Sequence, residues 1–213
     1  MEFIEFPKMA RLTRECVITE KIDGTNAQIG IRVLPDNEVM PTDTPIVAVR
    51  GNLLIYAGSR SRWLLPHPGR VCGGVNYNDN FGFAQWVEQH ADELAGLGEG
   101  RHFGEWWGLG IQRGYGLEEK RFSLFNTLRW ADERDREKYP TDRPACCHVV
   151  PVLYRGMFGP KHDGGYIAKL THEGSQAAPG FMKPEGVVVF HVAAGVAFKK
   201  TIEKDDQPKG KVA

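Results

Sequence analysis

Apolar and polar residues alternate in short runs along most of this chain, and only a few stretches show helical spacing. Residues 16–19 and 27–34 cluster or alternate β-branched and other apolar residues, the period-2 signature of strands. The polar octet Thr19-Glu20-Lys21-Ile22-Asp23-Gly24-Thr25-Asn26 joins them, so this region reads as a strand pair with a polar loop between. Pro35, Pro41 and Pro45 mark the next segment as a loop or hairpin tip. IVAVRG and LLIYAG predict short strands about a Gly51-Asn52 turn. Residues 59–80, rich in Gly, Pro and Asn, read as a long loop, a kind that is often functional. Phe83, Trp86, Val87, His90 and Leu94 recur at helical spacing, with Asp79 or Asn80 as N-cap and Gly96 as stop. HFGEWWG, KRFSLFNTLRW, CHVVPVLYRG, EGVVVFHV and GVAFKKT predict further strands, and GGYIAKLTHEGS a short helix. Residues 131–144 form a mixed-charge run that reads as solvated surface. Strands outnumber helices and connections are short, which predicts an α+β fold of mostly antiparallel sheets with few flanking helices.

Composition narrows the picture. At 213 residues one domain is expected, and 41% hydrophobic with 25% charged residues is ordinary for a globular chain. Lys plus Arg equals Asp plus Glu, 27 against 27, which argues against coating a nucleic acid by bulk charge and leaves room for a local basic groove. The four cysteines form no C-x-x-C pair, and Cys146-Cys147-His148 reads as the start of a buried strand rather than a metal site. Without a signal peptide or a long apolar run, the expected setting is cytoplasmic, reducing and away from membranes. GLGEG at 96–100 follows a helix and lacks a GK[ST] sequel, so it reads as a helix-stop turn.

The octet holds the candidate chemistry. A lysine amine has a free pKa of about 10.4, and making half of it neutral near pH 7 takes about 4–5 kcal/mol of differential interaction. Burial and a nearby cation supply such energies. Gly24 permits close approach of backbone or ligand, and Asp23 and Asn26 offer polar contacts to a sugar or to water around a metal.

TEKIDGTN resembles motif I of the covalent nucleotidyltransferases, namely the ATP-dependent RNA and DNA ligases and the mRNA capping enzymes. Its Thr25-Asn26 extension is most similar to the RNA ligases that seal nicks in duplex RNA. GSRSRW (58–63), FGEWWG (103–108), FSLFN (122–126), PEGVVVF (184–190) and AFKKT (197–201) resemble motifs Ia, III, IIIa, IV and V, in that order. The resemblance covers residues from about 15 to 204.

It implies a single nucleotidyltransferase (ligase adenylation-domain) fold over residues 1–213; because the sequence ends a few residues after motif V, the C-terminal OB-fold that many members of the family carry is not expected. It implies that Lys21 attacks the α-phosphate of ATP to form a lysyl–AMP, that AMP passes to a 5′-phosphate end, and that a 3′-hydroxyl then seals the strand. Glu105 would hold the ribose hydroxyls. Glu185 would help hold Mg²⁺ or Mn²⁺, with Asp23 sharing that shell. Arg60 would grip the nucleotide or the incoming 5′-phosphate, Arg62 being able to exchange roles with it. Phe125, with Phe122 competing, would stack on adenine. Glu20 would touch adenine, chiefly through its backbone, while Gly24 and Asn26 belong to the nucleotide site.

Motif V departs from the family pattern, which places one residue between two lysines. Lys199 and Lys200 are adjacent here, so on a strand they face opposite ways, and Lys199 is favoured for the phosphates. Further cationic candidates are Arg70, Lys161, Lys169 and Lys183. The expected partners are RNA ends, with DNA less favoured. The alternatives are a DNA ligase, a GTP-dependent capping guanylyltransferase, or a non-catalytic module that binds nucleotides or RNA ends.

Overall fold

The computed structural model describes residues 1–66, 70–130, 143–159, 162–203 and 205–206. In chain order the first half forms β1 (Glu15–Lys21), β2 (Thr25–Val33), β3 (Ala48–Arg50), β4 (Leu53–Ser59), β5 (Trp63–Leu64), β6 (Arg70–Cys72), β7 (Val75–Tyr77), α1 (Phe83–Gln89) and α2 (Ala91–Leu94). The rest forms β8 (Gly100–Gly108), β9 (Lys120–Leu124), β10 (Cys147–Val149), β11 (Val152–Met157), α3 (His162–Glu173), β12 (Gly186–His191) and β13 (Val196–Thr201). The α+β class read from the alternation is the observed one. Two compact units divide the chain: residues 1–22 with 151–213, and residues 23–150.

The smaller unit is one antiparallel sheet of order β11-β1-β12-β13. Cys16 and Ile18 of β1 and Val187 and Val189 of β12 lie on one face, where Leu170 of α3 closes a small core. Burying each of these aliphatic side chains is worth about 1.5–3 kcal/mol.

The larger unit is a seven-stranded sheet of order β10-β9-β8-β2-β4-β3, with β5 pairing β4. Its one parallel pair is β9 with β10; the other pairs are antiparallel. Ala27, Ile29, Ile31, Ile55, Ala57, Trp106, Phe122 and Leu124 point to one face and meet Phe83, Ala84 and Val87 of α1. Phe83, Trp86, Trp106 and Phe122 form the centre, with ring centroids 5.2–5.9 Å apart in tilted or stacked pairs. Such pairs add about 0.5–1.5 kcal/mol beyond the area they bury.

Several sequence expectations are corrected. The strands flanking the octet do not pair with each other: β1 lies in the smaller sheet and β2 in the larger. Alternation specifies that a segment is a strand and which face is apolar, but not its partner. CHVVPVLYRG is two strands, β10 and β11, because Pro151 lacks the N–H a continuous ladder needs; the unit boundary falls there. The long loop at 59–80 contains β5 and the hairpin β6–β7, turned at Gly73-Gly74.

The helical stretch breaks at His90 into α1 and α2, and its last turn runs past Gly96 to Gly98. The N-cap residue is Gly82 rather than Asp79 or Asn80, its left-handed φ of 79° turning the chain into α1, while the Asp79 carboxylate accepts from the backbone N–H of Ala84 at 2.8 Å and of Gln85 at 3.1 Å. Cys147 opens β10 and is fully buried, and all four cysteines are free thiols. Most of the mixed-charge run, residues 131–142, lies outside the described residues, as does Lys161. Among the described residues no helix is long and apolar enough to cross a membrane.

Candidate functional site

The octet contains little loop. β1 runs through Lys21 and β2 begins at Thr25, so only Ile22, Asp23 and Gly24 lie outside strands. The chain passes from the smaller unit to the larger between Ile22 and Asp23.

In the smaller unit Lys21 is the last residue of β1, opposite Gly186. Its ammonium donates to Oε2 of Glu185 at 2.6 Å, with the side chains 19% and 2% exposed. A buried carboxylate thus fixes the amine of a lysine that is still reachable. Gly186 is required by close approach: a Cβ there would sit 2.1 Å from the Lys200 carbonyl oxygen. Register pairs Val188 with Thr19 and Lys199, and Val187 with Glu20 and Lys200. Lys199 therefore shares a sheet face with Lys21, and Lys200 shares the opposite face with Glu20.

Glu20 is buried, and its carboxylate accepts from Ser175 Oγ at 2.6 Å and from the N–H groups of Gln176 at 2.7 Å and Ala177 at 2.9 Å. Its side chain anchors the segment after α3 on the face away from Lys21.

In the larger unit Glu105 of β8 is 7% exposed. One carboxylate oxygen accepts from the Gly24 N–H at 3.1 Å, the other from the Asn26 amide at 3.0 Å. Gly24 has no room for a side chain, since a Cβ would lie 2.4 Å from the Trp106 carbonyl oxygen. Asp23 is held by at least two bonds: Arg113 Nε donates to Oδ2 at 3.0 Å, and the Asp23 N–H donates to the Tyr115 hydroxyl at 2.8 Å. Tyr115 is itself buried and set edge-on to Trp107, centroids 5.0 Å apart.

Sequence reasoning missed Arg113 and Tyr115. Their signal was the glycine-dense GLGIQRGYG, in which Gln112 and Tyr115 take left-handed φ values of 46° and 55°. Such backbone persists where the surroundings over-determine it.

The aromatic candidates separate. Phe122 is a core residue, fully buried, while Phe125 is 41% exposed and its N–H donates to the Phe103 carbonyl. Arg60 and Arg62 are exposed in the turn between β4 and β5. Lys169 and Lys183 fall in the smaller unit and Arg70 in β6 of the larger.

Among the described residues no cluster of three or more His, Cys, Asp or Glu could cage a metal. Asp23 has Arg113 as its partner instead. A single buried carboxylate such as Glu185 does fit a Mg²⁺-type ion, which commonly takes one or two carboxylates and fills its shell with substrate phosphates and water.

A family model described as RNA ligase matches residues 14–201. No curated protein matches the chain. Among solved structures, a lysine-to-alanine mutant of Naegleria gruberi RNA ligase with ATP and Mn superposes with a TM-score of 0.52 at 18% identity, covering 89% of this chain and 50% of that one. An arginine-to-alanine mutant with ATP and Mn gives 0.52 at 18% identity, covering 90% and 51%. The same ligase with pyrophosphate gives 0.51 at 19% identity, covering 89% and 50%. The chain thus spans about half the length of the solved structures it matches.

Proposed function

The chain belongs to the RNA ligase family, and from that premise we propose that it is an ATP-dependent RNA ligase working through a lysyl–AMP intermediate on a nucleotidyltransferase fold. The carrying observation is the 2.6 Å pair of Lys21 with Glu185. Once its ammonium has given up one proton to solvent, the Lys21 amine forms a nitrogen–phosphorus bond to the α-phosphorus of ATP. The α–β anhydride bond breaks, pyrophosphate leaves, and the amine's proton passes toward the Glu185 carboxylate. An RNA 5′-phosphate oxygen then takes the AMP from Lys21. Finally a 3′-hydroxyl displaces AMP, forming the phosphodiester. Each step is in-line transfer at phosphorus, where positioning and charge neutralisation carry the rate.

In this reading Glu105 binds the ribose hydroxyls, Phe125 stacks on adenine, and Arg60 and Lys199 bind phosphate oxygens. Glu185 would hold Mg²⁺ or Mn²⁺, which when bound would supply charge neutralisation at the phosphates. The Naegleria ligase structures with ATP and Mn support this donor and metal. Asn26 and Gly24 set the Glu105 carboxylate, and Arg113 sets Asp23.

The test is label transfer. Wild type incubated with α-labelled ATP and Mg²⁺ or Mn²⁺ should carry label through a denaturing gel, and Lys21→Ala should carry none while remaining folded. Parallel GTP incubation separates a capping enzyme, and sealing assays on RNA and DNA ends separate the ligases. Nicked duplex RNA is the first substrate to assay, given the motif I extension. Wild type that takes no label with either metal would leave a binding module and overturn the reading.

A further inference from the structure

The sheet of the larger unit has a second face, turned away from α1 and the aromatic core. Glu105 lies on it. Two and four residues back along β8, the same face carries Phe103 and Arg101. Phe103 is 51% exposed, an unusual position for a ring on a central strand. Opposite Phe103 stands Gln28, and opposite Arg101 stands Gly30. Across β4, Gln28 faces Gly58 and Gly30 faces Tyr56, and Gly58 pairs with Trp63 of β5.

The two glycines make a floor. A Cβ at Gly30 would meet the Trp63 ring at 2.9 Å, and one at Gly58 would meet it at 3.0 Å, so the indole lies down across β2 and β4. Tyr56 flanks it at 5.5 Å between centroids, and the Arg101 guanidinium stands 5.9 Å from its centre. By register Trp63, Gly58, Gln28 and Phe103 form one row across β5, β4, β2 and β8, and the Trp63 indole leans over Gly58 and Gly30 along the same face that carries Phe103.

The exposed charge named on this face is cationic, the carboxylate of Glu105 being buried. Arg60 and Arg62 in the turn before Trp63, and Arg101 beside it, are exposed and make no ion pair among the described residues. A half-buried indole and an exposed phenyl ring interleaved with exposed guanidinium groups match the two demands of a single nucleic acid strand, a π-face for each base and a cation for each phosphate. An apolar protein partner would leave three arginines without a counter-charge.

We propose that Trp63, Phe103 and Arg101 form a platform for an unpaired RNA strand. On it, bases stack on the two rings, and Arg101, with Arg60 and Arg62, meets the phosphates. The proposal rests on the RNA ligase reading and sharpens its substrate. Paired bases offer no free face, so RNA with an unpaired segment at the joint binds here better than a continuous nicked duplex.

The experiment measures fluorescence anisotropy of a short labelled single-stranded RNA with the full chain, alongside AMP labelling from ATP. Phe103→Ala should raise Kd roughly tenfold or more, Phe103→Trp should restore it, and AMP labelling should not change. Arg101→Glu should weaken binding and reduce the slope of log Kd against log salt by about 0.7 or more. Thermal unfolding of each variant checks that its fold persists.

Unchanged RNA affinity in Phe103→Ala and Arg101→Glu overturns the platform, as does wild type that takes AMP label but binds no single strand. An equal loss on single-stranded RNA and on a nicked duplex also overturns it, because the rings would then not be reading unpaired bases. Wild type that binds RNA through these residues but takes no AMP label keeps the platform and sinks the ligase reading instead.

Discussion

Among the described residues the smaller unit holds its reactive candidate by one ion pair, Lys21 to Glu185. In the larger unit Asp23, Gly24 and Asn26 are gripped by at least four bonds, from Arg113, Tyr115 and both oxygens of Glu105. Behind them lies a core built on Phe83, Trp86, Trp106 and Phe122, whereas β1 and β12 have one helix to cover them. The difference follows from the tasks proposed for each. A nucleophile must move onto phosphorus and off again, so one short contact aims it without trapping it. Groups that recognise a nucleotide gain from being fixed beforehand, since ordering them on binding would lower affinity.

The contrast can be broken at unequal expected sizes, and the chain supplies a probe: all five tryptophans lie within residues 23–150, so tryptophan emission reports on the larger unit alone. Gly186→Ala should have the largest effect. Its Cβ would collide with the Lys200 carbonyl and push β12 from β13 directly opposite Lys21. AMP labelling should fall about 10²-fold, as expected of a displacement near 1 Å, with tryptophan emission unchanged. Emission shifting together with labelling would show that the two units do not respond separately.

Tyr115→Phe should be milder. It removes the acceptor for the Asp23 N–H, and urea unfolding followed by tryptophan emission should show a loss of about 1–3 kcal/mol. The smallest effect concerns His102, buried and bound to the Gly98 carbonyl. Burial lowers its pKa from the ordinary 6.5, only partly offset by that backbone bond. The unfolded chain therefore takes up a proton below about 6.5 that the folded chain refuses, and stability falls as pH drops from there toward the lowered folded value. His102→Gln keeps an amide donor and should flatten this acid limb by up to about 1.4 kcal/mol per pH unit, read by urea midpoints at several pH values.

These residues also mark what a sequence can disclose. The α+β class, the strands and the octet were legible because period-2 alternation and a run of ordered motifs are local signals. Strand partners were not, since β1 pairs with β11 and β12, more than 130 positions downstream. Lys21, Glu105 and Glu185 could be singled out by motif, whereas Arg113 and Tyr115 sit in a loop whose spacing follows no period. The platform escaped for a similar reason. Trp63 and Phe103 belong to separate strands, and only register sets them in one row of one sheet face.

The smaller unit is assembled from residues 1–22 and 151–213, with the residues of the larger unit between them in sequence. Lys21 and Glu185 are 164 positions apart. During synthesis, which proceeds at about 5–20 residues per second, the amine leaves the ribosome many seconds before its carboxylate exists. A nascent chain, or one cut short by a premature stop before β12, therefore exposes an ordinary lysine. The order of the sequence itself keeps the Lys21–Glu185 pair from forming until β12 has been made.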